Sequence, residues 1–259
     1  MTDTVISARD VGKRFNPGTD KEVIALGGID LEVKQGEFIS LLGPSGCGKS
    51  TFLYMVGGFE KPTSGSLTMH GQPITGPGAN RGMVFQEYLL FPWMKVKDNI
   101  TYGMRIAKAS KAEQEAKCRE LVEMIGLEGF EDVYPETLSG GMRQRVAIAR
   151  ALAYDPEFLL MDEPFGALDA QTRSRLITDL IRIHKATQKT TLFVTHSVEE
   201  AILLSDRVAL FSARPSRIKE VFEIDMPYPR KVTDAKFVEY EKRILGSLDE
   251  ESTCAREVA

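Results

Sequence analysis

The clearest chemistry in this 259-residue chain sits in one run, Gly43-Pro44-Ser45-Gly46-Cys47-Gly48-Lys49-Ser50-Thr51. A polyphosphate needs many N–H donors at close range, and glycines let the backbone wrap it where a side chain would collide. The apolar residues Phe38, Ile39, Leu41 and Leu42 precede the run, and a helical-looking segment, Thr51 to Val56, follows it. That order reads as strand, glycine-rich turn and helix start, and the helix adds its own free N–H groups and the positive end of its dipole. In such a loop Lys49 reaches the β- and γ-phosphates, the Ser50 hydroxyl ligates Mg²⁺, and Thr51 helps to close the cradle. A glycine turn with a lysine nearby is the plainer reading, and it leaves the strand-loop-helix context without a purpose.

Two further groups could act on the same ligand. Asp162-Glu163 follows the apolar strand Phe158 to Met161. A carboxylate at the carboxyl end of a strand faces the crevice where α/β sheets bind ligands, so Asp162 can hold Mg²⁺ directly or through water. Glu163 is then placed to orient or deprotonate an attacking water. Adjacent acids are also common on solvated loops, and it is their company with the phosphate loop that gives this pair meaning. The third group is Leu138-Ser139-Gly140-Gly141-Met142-Arg143-Gln144, opening a helix rich in Ala and Arg. Ser139 is a good N-cap and the glycines allow close approach, which makes a second helix start able to bind an anion. Read alone, it is simply a capped helix.

The elements that must carry these groups follow from periodicity. Val5 to Phe15 and Val23 to Val33 alternate as strands around an Asn16 to Asp20 turn. Phe15 then lies upstream of the phosphate loop, either stacking on a purine or facing the core. Gly57-Gly58 ends the first helix, and Ser66 to His70 and Met83 to Phe85 read as short strands. From Tyr88 to about Ala153 the pattern turns helical, with a capping box at Ser110 and Glu113 and Gly126 as a stop. Phe158 to Met161 and Thr191 to Val194 are apolar enough for strands covered on both faces, and Leu176, Leu180 and Ile183 mark an amphipathic helix between them. The alternation predicts a layered α/β domain with a largely parallel sheet. Met226-Pro-Tyr-Pro-Arg230 reads as a stiff linker. Thr233 is expected to cap a last helix whose Phe237, Tyr240, Ile244, Leu245 and Leu248 dock on the domain, with a mobile polar tail after Asp249.

Composition is that of a soluble globular protein. Lys and Arg number 33 against 37 Asp and Glu, a formal charge of -4, so a basic face for nucleic acid is not expected. Cys47, Cys118 and Cys254 show neither disulfide nor metal-ligand spacing, which suits a reducing compartment. The N-terminus has no signal-peptide character and no window approaches a membrane span, so a cytosolic chain is expected.

In order and spacing, Gly43 to Thr51, Gln86, Leu138 to Gln144, Asp162-Glu163, Gly166-Ala-Leu-Asp169 and His196 resemble an ABC transporter ATPase cassette over roughly residues 5 to 225. More narrowly, Val84 to Trp93, Met161 to Asp169 and Thr195 to Glu200 look like the nitrate, sulfonate and taurine (bicarbonate) importers. The resemblance implies an α/β P-loop NTPase core with an antiparallel β subdomain and an inserted α-helical subdomain. The expected organisation is an ATPase domain over 1–230, the helical subdomain at about 88–155 within it, and a C-terminal helix and tail over 231–259. Tyr54 and Phe59 depart from the family's usual aliphatic or basic residues.

By the same resemblance, two copies face head to tail and ATP with Mg²⁺ is held at two composite sites. Ser139, Gly140 and Gly141 of one copy would meet the γ-phosphate bound by Lys49 of the other, and Asp169 would link the sites. His196 would hold the γ-phosphate and the attacking water, Gln86 would touch Mg²⁺ or that water, and Phe15 would stack on adenine. The partners implied are a second ATPase subunit (identical or a paralogue), a transmembrane permease and a solute-binding protein, with the chain peripheral on the cytoplasmic membrane face. Tyr88, Leu89, Leu90, Phe91, Pro92 and Trp93 are too apolar for an ordinary exposed loop. They either pack inside the helical insert or receive a short permease helix. A soluble ABC ATPase is the rival reading, although such chains usually carry a long coiled coil or two cassettes. A P-loop kinase or GTPase would leave Leu138 to Gln144 and His196 without roles.

Overall fold

The computed structural model describes residues 4–257, with side chains through residue 250. In chain order the elements are β1 (Thr4–Phe15), β2 (Val23–Lys34), β3 (Phe38–Leu42), α1 (Lys49–Gly57), β4 (Ser64–Met69), β5 (Gln72–Pro73) and β6 (Arg81–Val84). There follow α2 (Val96–Ile106), α3 (Lys111–Ile125), α4 (Gly140–Leu152), β7 (Phe158–Asp162), α5 (Ala170–Thr187) and β8 (Thr190–Thr195). The chain closes with α6 (Val198–Leu204), β9 (Arg207–Phe211), β10 (Ile218–Glu223) and α7 (Ala235–Glu257). Two compact units result, one formed by the chain up to Gly78 together with Thr190 onward, the other by Ala79 to Lys189.

The first unit holds two sheets. One is antiparallel in the order β2-β1-β4-β5. In the other, β3 lies between β8 and β9 and parallel to both, and β10 pairs antiparallel with β9. Every residue of β3 and β8 is buried, which explains why both read as continuous apolar or β-branched runs rather than alternating ones. The second unit pairs β6 parallel with β7 and carries α2, α3, α4 and α5. The insert expected at 88–155 falls inside it, accompanied by β6, β7 and α5. Ser110 and Glu113 cap α3 reciprocally and Gly126 closes it at φ 63°. The interior stripe of α5 is Leu176, Ile177, Leu180 and Ile183.

The C-terminal segment differs from expectation in three ways. α7 begins at Ala235, directly after Asp234, rather than from a Thr233 cap. Leu245 is 44% exposed, so the docked face is narrower than the proposed stripe: Phe237 and Ile244 are buried with Leu42, Val198, Ala201, Ile202, Phe222 and Ile224, and Tyr240 and Leu248 flank them. The backbone stays helical to Glu257 instead of becoming a tail after Asp249, as the helix-forming glutamates that follow Asp249 allow. Cys254 lies beyond the described side chains. Tyr54 and Phe59 meet edge to face at 6.5 Å, which gives this unusual pair a packing role.

The presumed linker is an anchor. Arg230 is 8% exposed, and its guanidinium donates to the carbonyls of Ser205 at 2.7 Å, Met226 at 3.0 Å and Ile224 at 3.2 Å, and to that of Ile202. The Tyr228 ring lies 4.2 Å from it, and the Tyr228 hydroxyl donates to Leu204 O at 2.6 Å. Burial pushes that hydroxyl up to about 12. Arg230→Ala leaves several buried carbonyls without donors and is expected to cost on the order of 3 kcal/mol in urea unfolding. A midpoint unchanged from the parent would contradict the anchor.

Candidate functional site

In the first unit the register of two parallel strands sets the site. Leu42 of β3 pairs with Thr195 of β8, so Gly43 and His196, the next residues on, leave the sheet side by side at its carboxyl edge. The phosphate loop runs from there into α1. Gly48 is the residue before the helix, at φ 118°, and an ideal Cβ there would lie 2.7 Å from Leu26 Cδ2 and 3.2 Å from Ala25 O; only glycine fits. No side chain caps α1 and its first turn carries no acid, which leaves a helix start suited to an anion. The buried Lys49 ammonium folds back over the loop and donates to Gly43 O at 2.8 Å and Pro44 O at 2.9 Å, with Cys47 Sγ at 3.9 Å. These are donors that phosphate oxygens could take over, so the residues present fit a nucleotide. Ser45 and Gly46 are exposed, and Ser50 and Thr51 half-buried, around the same loop.

His196 is exposed on a short, stiff turn. Thr195 Oγ1 donates to the buried carboxylate of Glu200 at 2.6 Å, and the Ser197 N–H donates to Thr195 Oγ1 at 3.0 Å. The Ser197 hydroxyl in turn accepts from the Glu200 N–H at 3.2 Å and so caps α6. Ser197-x-x-Glu200 carries the spacing of a capping box, the local signal in the sequence from which this turn could be found. Phe15 is half-buried, with the Lys13 ammonium 5.0 Å from its ring centre; Lys13 is itself fixed by Glu60 at 2.7 Å and Lys61 O at 2.9 Å.

In the second unit β6 and β7 do the same for the carboxylates. Val84 pairs with Met161, so Gln86 and the pair Asp162-Glu163 leave the strands at one edge. Asp162 is buried and Glu163 half-buried. Glu163 has φ 43°, a left-handed backbone that a glutamate adopts at a cost of about 1–2 kcal/mol. Such strain gathers where geometry serves function. An ideal Cβ on Gly166 would stand 3.7 Å from Gln86 Nε2 and 3.9 Å from Glu163 Oε2, so the two side chains end over the same small surface.

The Ser139 hydroxyl accepts from the Met142 N–H at 3.3 Å and caps α4, as expected, and its own proton remains to be donated. A Cβ on Gly141 would sit 2.5 Å from Thr172 Cγ2, and one on Gly140 would sit 3.0 Å from the Tyr88 hydroxyl. A side chain at Gly141 would therefore force Thr172 to shift, and one at Gly140 would press on the far end of Tyr88, independently of any ligand. Asp169 caps α5 by accepting from the Thr172 N–H at 3.0 Å, and that hydrogen bond holds its carboxyl below the usual range. Among the described residues no cluster of His, Cys, Asp and Glu could hold a metal by itself. The hydroxyl, amide and carboxylate oxygens of Ser50, Gln86 and Asp162 are hard donors of the kind Mg²⁺ accepts beside phosphate and water. Two residues absent from the sequence reading hold the apolar loop: Asn99, fully buried, and Arg150, in the last turn of α4. The carbonyls that Arg150 reaches are 61 and 62 residues away, a relation that leaves no spacing signal, whereas Asn99 bonds the backbone of Phe91, Met94 and Lys95, eight to four residues before it.

With this geometry in place, comparison with known proteins is direct. The family described as ABC transporter matches residues 26–166. An uncharacterized ABC transporter ATP-binding protein of Methanocaldococcus jannaschii is 52% identical over 229 residues, covering 88% of this chain and 86% of its own. The aliphatic sulfonates import ATP-binding protein SsuB of Bacillus cereus is 44% identical over 244 residues, covering 94% of this chain and 96% of its own. A solved dimeric structure of a bacterial ABC transporter cassette superposes with a TM-score of 0.74 at 31% identity, over 86% of this chain and 100% of its own. The chain belongs to the ABC transporter family, as one of its ATPase cassettes.

Proposed function

We propose that this chain is the ATP-hydrolysing subunit of an ABC importer, energising uptake of a small anion of the nitrate, sulfonate, taurine or bicarbonate class through a separate permease. The observation that carries it is the pairing of strand ends: phosphate loop beside His196 on one pair, Gln86 beside Asp162-Glu163 on the other. The sulfonate import relative supports the direction and the solute class.

When bound, ATP with Mg²⁺ supplies the phosphoanhydride bond to be cleaved and neutralises part of its charge. The loop amides and the start of α1 hold the phosphates, and Lys49 binds the β- and γ-oxygens. Ser50, Gln86 and Asp162 would supply the oxygen donors for the metal. Glu163 takes a proton from the attacking water, oriented by His196. Phe15 receives the adenine. Ser139, Gly140 and Gly141 of a second copy, or of a closely related subunit, meet the γ-phosphate, and Asp169 links the two sites. Hydrolysis then removes contacts that held the copies together, and closure and reopening move the permease between its states.

The surface has a matching feature. Trp93 is 69% exposed, and its ring is 5.6 Å from Phe91, itself 4.7 Å from Tyr102. Arg105, against Tyr102 at 5.2 Å, continues the patch into a groove of about 580 Å³ lined by Lys97, Asp98, Cys118 and Arg119. We assign this apolar patch with its charged groove to a short permease helix. Among the described residues no helix is long and apolar enough to cross a membrane. A peripheral place on the cytoplasmic face, with a solute-binding protein beyond the permease, completes the proposal. Trp93→Ala is expected to leave basal ATP hydrolysis intact while the permease no longer copurifies; undiminished copurification would argue against the assignment.

A further inference from the structure

We infer that Lys13 is a positioning residue for base recognition. Its ammonium, clamped on the segment that closes α1, holds Phe15 at a fixed reach from the phosphate loop and leaves one ring face open to a purine. The inference rests on the reading that Phe15 receives the adenine. All of its geometry lies within the first unit.

A lysine on a strand ordinarily sends its ammonium into water. Lys13 is only 8% exposed, and its ammonium donates to Glu60 Oε2 at 2.7 Å and to Lys61 O at 2.9 Å. Those acceptors are mounted on α1. Gly58, at φ 80°, ends the helix, and the N–H groups of Phe59 at 2.9 Å and Glu60 at 3.3 Å donate to Tyr54 O in its last turns. The helix whose start is suited to phosphate thus carries, at its other end, the carboxylate that fixes Lys13.

Backbone on either side of Lys13 is tied to the same segment. The Thr63 N–H donates to Gly12 O at 2.8 Å, and the Arg14 N–H donates to Thr63 Oγ1 at 3.1 Å. Across the sheet Lys13 pairs with Leu26, whose Cδ2 is the atom that an ideal Cβ on Gly48 would strike at 2.7 Å. Position 13 is therefore linked to both ends of the phosphate-binding element, to Gly48 through Leu26 and to the close of α1 through Glu60. Phe15 is the last residue of β1, and the exposed turn from Asn16 to Lys21 follows it. An aromatic ring in such a place is free to reorient, and a base that must first order it binds less well. The Lys13 ammonium, 5.0 Å from the ring centre, removes that freedom by attraction to one face. The base is left the other.

The test compares ATP with inorganic tripolyphosphate, each with Mg²⁺, because the second has the phosphates without the base. Calorimetric titration follows ATP, displacement of ATP follows tripolyphosphate, and a thermal midpoint follows the fold. Phe15→Ala is expected to weaken ATP and spare tripolyphosphate. Lys13→Met is expected to weaken ATP about five- to tenfold, the low end for one base on an aromatic ring, and to leave tripolyphosphate within about twofold. In Phe15→Ala/Lys13→Met the second substitution should add nothing, since a residue acting through Phe15 has nothing left to act on. Glu60→Ala, which frees the ammonium from its clamp, should behave like Lys13→Met and serves if that variant does not fold. Parent ATP affinity in a folded Lys13→Met or Glu60→Ala protein overturns the inference. So does an equal loss for ATP and tripolyphosphate, because Lys13 is then a staple of the phosphate loop, and so does a loss that persists undiminished without Phe15. Parent ATP affinity in Phe15→Ala itself overturns the adenine reading first and this inference with it.

Discussion

Lys49→Ala is expected to lower ATP affinity and hydrolysis together, by about 10²- to 10³-fold, the range seen when one preorganised donor to a developing charge is removed. The argument is geometric. The Lys49 ammonium is buried and held over the loop by the carbonyls of Gly43 and Pro44, so it is already aimed at the space those carbonyls border. On the proposed role, binding a nucleotide would exchange those carbonyls for phosphate oxygens with little change in the side chain. Alanine removes the only cation in that run, and the remaining loop amides must hold a polyanion without it. The loop should keep its course, because Gly48 and α1 shape it without Lys49. Calorimetric titration with ATP and a steady-state phosphate assay measure both losses. An affinity within a factor of about two of the parent would remove Lys49 from the site, since a charge-assisted contact is worth more than that.

Glu163→Gln separates binding from chemistry. The amide keeps the size and most of the hydrogen bonding of the carboxylate but cannot accept a proton at neutral pH, so hydrolysis is expected to fall by about 10²- to 10⁴-fold. Nucleotide affinity should be preserved, because Glu163 is assigned to the water and not to the phosphates. Its left-handed backbone at φ 43° is set by the turn after β7, closed by the Gly166 N–H donating to Glu163 O at 3.1 Å, and the substitution leaves that turn in place. A single-turnover assay distinguishes this from loss of binding. Hydrolysis at the parent rate would return the role of base to another residue, His196 foremost.

Much of this was legible in the sequence because the relevant signals are local. The phosphate loop announced itself between β3 and α1, the two carboxylates at the end of β7, and the caps at Ser110 and Ser139 through side chains three residues from their targets. What was not legible depends on distant backbone. Arg150 reaches carbonyls 61 and 62 residues away, and Arg230 reaches 25 and 28 residues back to α6, and no composition or period encodes such pairs. The strained backbone of Glu163 and Leu89 was invisible for a different reason: neither is a glycine or an asparagine, the residues that flag positive φ. The stripe on α7 was too wide by Leu245, because apolar spacing marks a face without fixing how much of it a neighbour covers.

The central claim is that each ATP is clamped by the phosphate loop of one copy and the Ser139-capped helix of another. Sedimentation of Glu163→Gln protein, with and without ATP and Mg²⁺, tests it most directly. A monomer that becomes a stable dimer only when nucleotide is present is the predicted result. A protein that saturates with ATP and still sediments as a monomer at every concentration would contradict it.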